Sequence, residues 1–326
     1  MKRIQIITTG GTIAMKADPA TGALTPAVTG PDLAAAVPGL SAYADIGVKE
    51  FSNIPSGYMT PEKMLKLAEY IDSASETGEA DGFVVTHGTD TLEETAFFLD
   101  VALHTKKPVC VTGAMRGASD ISADGPGNIL GAVRTAADNK AAGMGVLVVL
   151  NDRIHAAWDV TKTHTTCTDT FQSPQWGPLG TVYGDEIVFG RQPLKHIKIH
   201  PESVQKKVWL LTCVSGMDGE LFRLAGEQGI SGIIVEGLGC GNVPPRVKAA
   251  VEELGKKGIP MVLVSRVPCG SVKEEYGYDG SARSMKTSGI ILGGSLSGPK
   301  ARLLLLMALG AGHGRREIQS DFGSTF

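Results

Sequence analysis

Val84-Val85-Thr86-His87-Gly88-Thr89-Asp90-Thr91-Leu92-Glu93-Glu94-Thr95 joins two patterns of different period. Its first residues close the short apolar run Gly82-Phe83-Val84-Val85, the composition of a parallel strand buried on both faces. Beyond it Leu92, Ala96, Leu99 and Leu103 recur at helical spacing, and Thr91 with Glu94 three residues on predicts a capping box. Residues 86–90 are therefore the turn between the carboxyl end of a strand and the amino end of a helix. In open α/β sheets that crevice is where ligands sit. The plain alternative is a polar turn capped by water. Against it, this turn gathers two hydroxyls, an imidazole and a carboxylate around one glycine, beside the positive end of a helix.

Working outward, residues 3–7 (Arg-Ile-Gln-Ile-Ile) predict a first strand running into Thr8-Thr9-Gly10-Gly11-Thr12-Ile13-Ala14, a second hydroxyl-rich glycine turn. Adjacent glycines let a backbone approach a ligand closely and present N–H groups to it, although a mere tight turn has the same composition. Neither the dinucleotide spacing G-x-G-x-x-G nor a Walker pattern is present. Met15 to Gly30 is rich in Ala, Gly, Thr and Pro without periodicity and is expected to be a loop that closes over a site. Asn53-Ile54-Pro55-Ser56-Gly57 is another small polar loop, followed by a helix opened by Thr60-Pro61-Glu62. The strand Val109-Cys110-Val111-Thr112 ends in Gly113-Ala114-Met115-Arg116. The loop Asp124-Gly125-Pro126-Gly127 precedes a helix with Ile129, Ala132, Val133 and Ala136 inward. After the strand Val146 to Leu150, the segment Asp159 to Thr166 sets Lys162 among four threonines, where a merely solvated lysine is the alternative to a functional one.

Polar residues without periodicity over 188–206 are expected to be a linker, which divides the chain into an N-terminal domain (1–187) and a C-terminal one (207–326). In the second half, strands at Val208 to Thr212, Gly232 to Val235 and Met261 to Ser265 alternate with helices around Leu221 to Ala225, Val247 to Leu254 and Ala301 to Ala308. Alternation of this kind predicts parallel sheets in both halves, an α/β fold throughout.

The chain has 326 residues, enough for two domains that each bury a core. Hydrophobic residues make up 42% and charged residues 20%, and the net charge of −3 supplies no basic field for nucleic acid or anionic lipid. No run approaches the roughly 18 apolar residues of a membrane span. The sequence enters its first strand from Met1 without an apolar signal region. With Cys110, Cys167, Cys213, Cys240 and Cys269 odd in number and widely spaced, reduced thiols in a cytoplasmic protein are expected. Of histidines 104, 155, 196, 200 and 313, 196 and 200 stand four apart but in a polar stretch without helical period, so no metal is expected.

Strand-end hydroxyls with no Ser-His-Asp order point to a threonine nucleophile, which needs a base and an oxyanion site because its hydroxyl is protonated at neutral pH. Gly10-Gly11 and Gly88-Thr89 offer backbone donors for the oxyanion. Lys162, if buried among threonines, has its neutral form favoured and can serve as the base. Asp90 can hold a substrate ammonium or orient Lys162. The chemistry so indicated is acyl transfer on a small polar substrate.

Thr9-Gly10-Gly11-Thr12-Ile13-Ala14, Thr86-His87-Gly88-Thr89-Asp90-Thr91, Gly113-Ala114-Met115-Arg116, Ser122-Ala123-Asp124-Gly125-Pro126 and Asp159-Val160-Thr161-Lys162-Thr163 together resemble the bacterial-type L-asparaginases. The resemblance spans nearly the whole chain and is looser at Ser265-Arg266-Val267-Pro268 and Pro299-Lys300-Ala301-Arg302. It implies a larger flavodoxin-like N-terminal domain, a smaller Rossmann-like C-terminal domain, and a homotetramer built as a dimer of dimers. It also implies hydrolysis of asparagine to aspartate and ammonia without a cofactor. Carried over by motif, Thr12 is the nucleophile and Thr89, Asp90 and Lys162 form a second triad that relays a proton and activates water. Gly11, Ser56, Gly57, Gly88, Thr89 and Asp90 bind substrate, and the Ala114 carbonyl faces the leaving amide nitrogen.

Two departures bear on activation and specificity. Many members carry a tyrosine in the loop after the first motif, whereas this chain has none before Tyr43. Periplasmic members bring an acid from a neighbouring subunit after the Arg-Val-Pro segment. Here Glu275, Tyr276, Tyr278 and Asp279 are the candidates for a cross-subunit contribution. Rival readings remain. One is a glutaminase-asparaginase of broad amide specificity, since Ser215 aligns where asparagine-preferring members often have asparagine. Another is a subunit of a tRNA-dependent amidotransferase, expected to carry an added N-terminal module and a basic surface. The third is a non-catalytic binding module, which leaves Lys162 among its threonines unexplained.

Overall fold

The computed structural model describes residues 1–17, 21, 24–26, 37, 39–194 and 197–323. The chain forms two compact units, Met1–Lys198 and Ile199–Phe326. In the first, strands β1 (Arg3–Thr8), β2 (Met15–Ala17), β3 (Leu24–Pro26), β4 (Asp45–Glu50), β5 (Gly82–Thr86), β6 (Val109–Thr112) and β7 (Val146–Leu150) precede β8 (Arg153–Ala156), β9 (Thr161–Lys162), β10 (Phe171–Gln172), β11 (Gly180–Tyr183) and β12 (Glu186–Phe189). The main sheet runs β12-β11-β8-β7-β6-β5-β1-β4. Its block β4-β1-β5-β6-β7 is parallel throughout. Counted along the chain, those five strands have the order 2-1-3-4-5 of a flavodoxin-like sheet, which reverses direction between β1 and β5.

The expected parallel sheet is thus present, and three antiparallel strands extend it: β8 returns against β7, β11 against β8 and β12 against β11. The sequence pattern concealed them because a tight turn, not a helix, joins β7 to β8. It is made by Asn151 and Asp152 at positive φ, which Asn and Asp tolerate better than most residues. The segment Met15 to Gly30, expected as a loop, contains the antiparallel pair β2–β3, with Lys16 opposite Thr25. Residues 18–20, 22–23 and 27–30 of it, Thr29 included, lie outside the described residues.

Helices α1 (Pro61–Glu76), α2 (Leu92–Ala102) and α3 (Gly125–Ala137) flank the parallel block. On one face Ile4, Ile6, Val84, Cys110, Leu147 and Val149 form a core with Ile129, Ala132, Val133 and Ala136 of α3. Alternation along the strands sends Phe83, Val85, Val111 and Val148 to the other face, where α2 packs against β6 and β7 and α1 against α2. With both faces covered, β5 and β7 are buried at every position, which is why they read as unbroken apolar runs.

The second unit is a four-stranded parallel sheet of β13 (Val208–Thr212), β14 (Gly232–Gly237), β15 (Met261–Ser265) and β16 (Ile291–Leu292), in that order. Helices α4 (Glu220–Glu227), α5 (Pro245–Lys256) and α6 (Ala282–Thr287) precede α7 (Gly298–Gly310) and α8 (Arg315–Gly323). Phe222, Val247, Val251 and Leu254 pack on Ile233, Val235 and Leu263, while α7 contacts β13, β14 and β15. Two-residue β16, six-residue α6 and the charged α8 are too short or too polar to show a period in the sequence.

Two histidines lie inside the first unit. His87 is fully buried under the turn that follows β5. Its Nδ1–H donates to Gly88 O at 2.7 Å and its Nε2 accepts from Thr95 Oγ1 at 2.9 Å. His155 on β8 is equally buried and pairs through Nδ1 with Ser173 Oγ at 2.9 Å. Burial lowers both imidazoles to about 4, with Arg153 adding to the effect at His155. Each folded value lies below the ordinary 6.5, so as pH falls the unfolded chain takes up these protons first. The stability they contribute is complete above pH 6.5 and is lost between 6.5 and 4, up to about 3 kcal/mol each. Thermal melts across that window should show Tm falling with pH. His155→Gln should flatten the slope by about one proton's worth, and an unchanged slope would remove His155 from the account.

Candidate active site

The two glycine turns leave β1 and β5 side by side, at the point where the strand order reverses. Register pairs Thr8 with Thr86 and Thr86 with Thr112, a row of threonines across three strand ends. Ladder-type bonds continue past that row. Thr9 N–H donates to Thr86 O at 3.1 Å, His87 N–H to Thr112 O at 2.8 Å and Ile54 N–H to Thr9 O at 3.0 Å. Three turns, carrying Thr12, Ser56 and Thr89, are thereby tied to one another by main chain alone.

Glycine makes the last step of that approach possible. Gly11 has φ 88°, and a Cβ built on it would lie 2.3 Å from Gly88 Cα. A Cβ on Gly88 would lie 2.8 Å from Ser56 Oγ. These glycines, expected to let a ligand approach the backbone, also let the backbone of the neighbouring turn approach it. Thr12 and Thr89, each the next residue along, stand on either side of the contact. Thr12 opens a single 3-10 turn, Thr12–Ala14, anchored by Ile13, which is 2% exposed within the α3-side core. Ile13 and Ala114 both lie against Gly125, the first residue of α3, where a Cβ would meet them at 3.0 and 3.5 Å. Ala114 is held on both sides: Asn128 Nδ2 donates to Gly113 O at 2.9 Å, and Asp124 accepts from Met115 N–H at 3.0 Å.

Lys162 arrives from a different part of the chain. It sits on β9, paired antiparallel with β10 so that Lys162 faces Phe171. Its Nζ donates to Thr89 Oγ1 at 3.0 Å and to Asp90 Oδ1 at 2.9 Å. The lysine side chain is 18% exposed and the Asp90 side chain 78%, so the lysine is sheltered and its carboxylate partner faces solvent. The threonines around Lys162 build the hairpin: Thr163 Oγ1 donates to Thr170 O, and Thr170 Oγ1 donates to His164 O. Ser173, just past β10, is the partner of buried His155.

Thr89, Asp90 and Lys162 are therefore in mutual contact, and the main-chain tie places Gly11, Thr12, Ser56 and Gly88 with them. Ser56 is buried and Gly57 beside it is exposed. His87, counted in the sequence among the polar groups of the turn, is a buried support with no exposed edge. The Thr91 side of the expected capping box does not form. Thr91 is the N-cap of α2 but makes no cap bond with its side chain, and Thr91 Oγ1 donates to Ser56 O at 2.7 Å instead. Glu93 was missed by sequence reasoning: its Oε2 accepts from Lys162 N–H at 2.5 Å. A first-turn glutamate is explained well enough by the helix dipole, so nothing in the sequence singled it out. Tyr276, Tyr278 and Asp279 belong to the second unit, where the two rings stack at 5.3 Å and Asp279 pairs with Lys248 at 2.6 Å. Among the described residues no group of three His, Cys, Asp or Glu side chains is placed to hold a metal ion, and no helix is long and apolar enough to cross a membrane.

A threonine-lined crevice at the reversal point of a flavodoxin-ordered sheet, with a sheltered lysine on one threonine hydroxyl, is the kind of site an enzyme of α/β fold presents. Residues 3–195 match the family described as Asparaginase, N-terminal, and residues 207–322 the Glutaminase/Asparaginase C-terminal domain. The chain is 38% identical to the probable L-asparaginase of Deinococcus radiodurans over 326 residues, 99% of this chain and 97% of that protein. It is 38% identical to L-asparaginase 2 of Escherichia coli over 330 residues, covering 99% and 93%. The crystal structure of a probable cytoplasmic L-asparaginase from Campylobacter jejuni superposes with a TM-score of 0.89 at 36% identity, covering 99% of this chain and all of that one. The chain belongs to the bacterial-type L-asparaginase family and is an amidohydrolase.

A methyl at Gly11 cannot be placed without moving the Gly88 main chain. Gly11→Ala is therefore expected to separate the two turns and to lower kcat/KM by at least about a hundredfold. The strained φ should also cost about 1–3 kcal/mol of stability. Steady-state kinetics with thermal melts check both, and wild-type turnover would show that the contact is not needed.

Proposed function

We propose that the protein hydrolyses L-asparagine to L-aspartate and ammonia through an acyl-enzyme on Thr12. The observation that carries this reading is Lys162 Nζ bonded at once to Thr89 Oγ1 and Asp90 Oδ1, one residue beyond the Gly88–Gly11 contact. In this reading Thr12 Oγ attacks the side-chain amide carbon, its proton passes to the departing nitrogen, and ammonia leaves a β-aspartyl ester. Backbone N–H groups of the glycine turns stabilise the oxyanion. Water then adds to the ester, giving a proton to Thr89 and through it to Lys162; the bond between the acyl carbon and Thr12 Oγ breaks, a proton returns to that oxygen, and aspartate leaves. Asp90 Oδ1 takes Lys162 while Oδ2 receives the substrate ammonium. Ser56 and Gly57 hold the α-carboxylate, and the Ala114 carbonyl faces the leaving nitrogen.

The segment 1–187 carries this chemistry, and 207–326 contributes Glu275, Tyr276, Tyr278 or Asp279 to the site of a neighbouring protomer in a homotetramer. Asp279 is already paired with Lys248. A cytoplasmic location belongs to the same reading and is supported by five unpaired cysteines. A second reading, in which glutamine is used about as well, rests on Ser215 standing in place of asparagine.

Ammonia release from both amides tests the function. Asparagine should have the higher kcat/KM, equal values would favour the second reading, and no release from either would overturn both. Intact-protein mass spectrometry tests the mechanism. Thr12→Ala should form no adduct, Thr89→Ala should accumulate one, and Lys162→Met should turn over roughly 10²–10⁴ times more slowly while still folding. An adduct on Thr89 in the wild type would reverse the two roles.

A tyrosine that only packs at an interface tolerates loss of its hydroxyl; one that acts on Thr12 does not. Tyr276→Phe or Tyr278→Phe should therefore lower kcat with the tetramer mass unchanged. Mixing the impaired variant with Thr12→Ala protein should restore activity in hybrid sites. Normal turnover in both variants would return the pair to a packing role.

A further inference from the structure

We propose that the first turn of α2 is a positioning element for the reaction, with Thr91 setting Ser56 and Glu93 setting Lys162. The inference rests on the reading above, in which Ser56 binds substrate and Lys162 moves the proton. The starting observation is an unmade cap. Thr91 occupies the N-cap position, yet its hydroxyl leaves the helix and donates to Ser56 O at 2.7 Å. Two residues on, Glu93 Oε2 accepts from the main-chain N–H of Lys162 at 2.5 Å. Both side chains could have satisfied the free N–H groups of their own helix start. Both reach instead to a separate piece of the site.

The consequence is geometric. Lys162 is gripped at both ends by one short segment: its Nζ by Thr89 and Asp90, its main chain by Glu93. A lysine stem has four rotatable bonds, so two contacts at its tip fix the main chain weakly, and the β9–β10 pairing leaves its N–H to Glu93 as the anchor toward the site. Fixing the backbone as well leaves Nζ few positions other than the one on Thr89 Oγ1. On the other side, Ser56 is held against Gly88 by close packing and against Thr91 by its carbonyl. Residues 88–93 thus hold the substrate loop and the proton relay in one frame, which is rigid because it is the start of a buried helix. Misplacement of such groups by about 1 Å costs on the order of a hundredfold in rate.

The two residues act on different steps, so their variants separate. Thr91→Val keeps the shape and removes the hydroxyl. It should raise KM for asparagine about tenfold with kcat within threefold, and Thr91→Ser should restore KM. Glu93→Met, a good helix former that cannot accept the Lys162 N–H bond, should lower kcat about a hundredfold with KM nearly unchanged. Glu93→Gln keeps an acceptor oxygen and should retain most of kcat with an unshifted pH profile.

Ser56→Ala and Lys162→Met are measured alongside. If Lys162→Met turns over normally, the catalytic reading itself fails. If Lys162→Met is impaired while Glu93→Met and Thr91→Val keep wild-type kcat and KM, the positioning role alone fails. It fails also if both variants lower kcat and Tm together without the split, or if Glu93→Gln is as impaired as Glu93→Met. Should Glu93→Met not fold, the Thr91→Val and Thr91→Ser pair and Glu93→Gln still decide the question.

Discussion

Two turns of main chain touch at Gly11 and Gly88, and everything chemical in the first unit is arranged around that contact. It exists because β1 and β5 are adjacent in the 2-1-3-4-5 order, so both turns leave the sheet at its reversal point. Register then matters. With Thr8 opposite Thr86, the two turns start level, and a one-residue slip would move Thr12 and Thr89 to different heights and faces. The last closure of distance is left to glycine, because any Cβ at position 11 meets backbone that cannot yield. Thr12 and Thr89 are therefore positioned by the sheet, with side-chain packing in a secondary role.

Helix starts show the same subordination of local to site geometry. Thr91 before α2 and Asp124 before α3 are N-cap residues whose side chains make no cap bond. Thr91 holds Ser56, and Asp124 holds the N–H groups of Met115 and Arg116. An unmade cap costs about 1 kcal/mol, and in each case the bond made instead fixes a loop of the site.

Much of this was legible beforehand because it rests on local pattern. The buried strands, the α2 and α3 helices, the two glycine turns and the residues Thr12, Thr89, Asp90 and Lys162 all stand in strongly patterned stretches. What escaped depends on distance in sequence. The antiparallel β8, β11 and β12 follow tight turns and short strands with little period. The diversion of Thr91 from cap to Ser56 is set by a loop 35 residues away, and Glu93 meets Lys162 across 69 residues. His87 looked like a pocket group because composition reports which atoms are present in a turn and not which way they face.

The Thr89–Lys162–Asp90 contact is poorly explained as a device for stability. With Asp90 78% exposed, the ion pair is worth at most about 1 kcal/mol, and sheltering a lysine stem to make it loses much of that in rotamer entropy. The asymmetry makes better sense as a path. Thr89 is buried, Lys162 is sheltered and Asp90 meets water, so hydrogen bonds run from the enclosed hydroxyl to the solvent in two steps. In the proposed mechanism, a proton given to Thr89 would have a route to solvent through Lys162 that does not require the crevice to open. The hairpin that delivers Lys162 is bonded internally by Thr163 and Thr170 and tied to the core through Ser173 and His155. That rigidity would be unnecessary for a surface salt bridge, and it is what a fixed proton path demands.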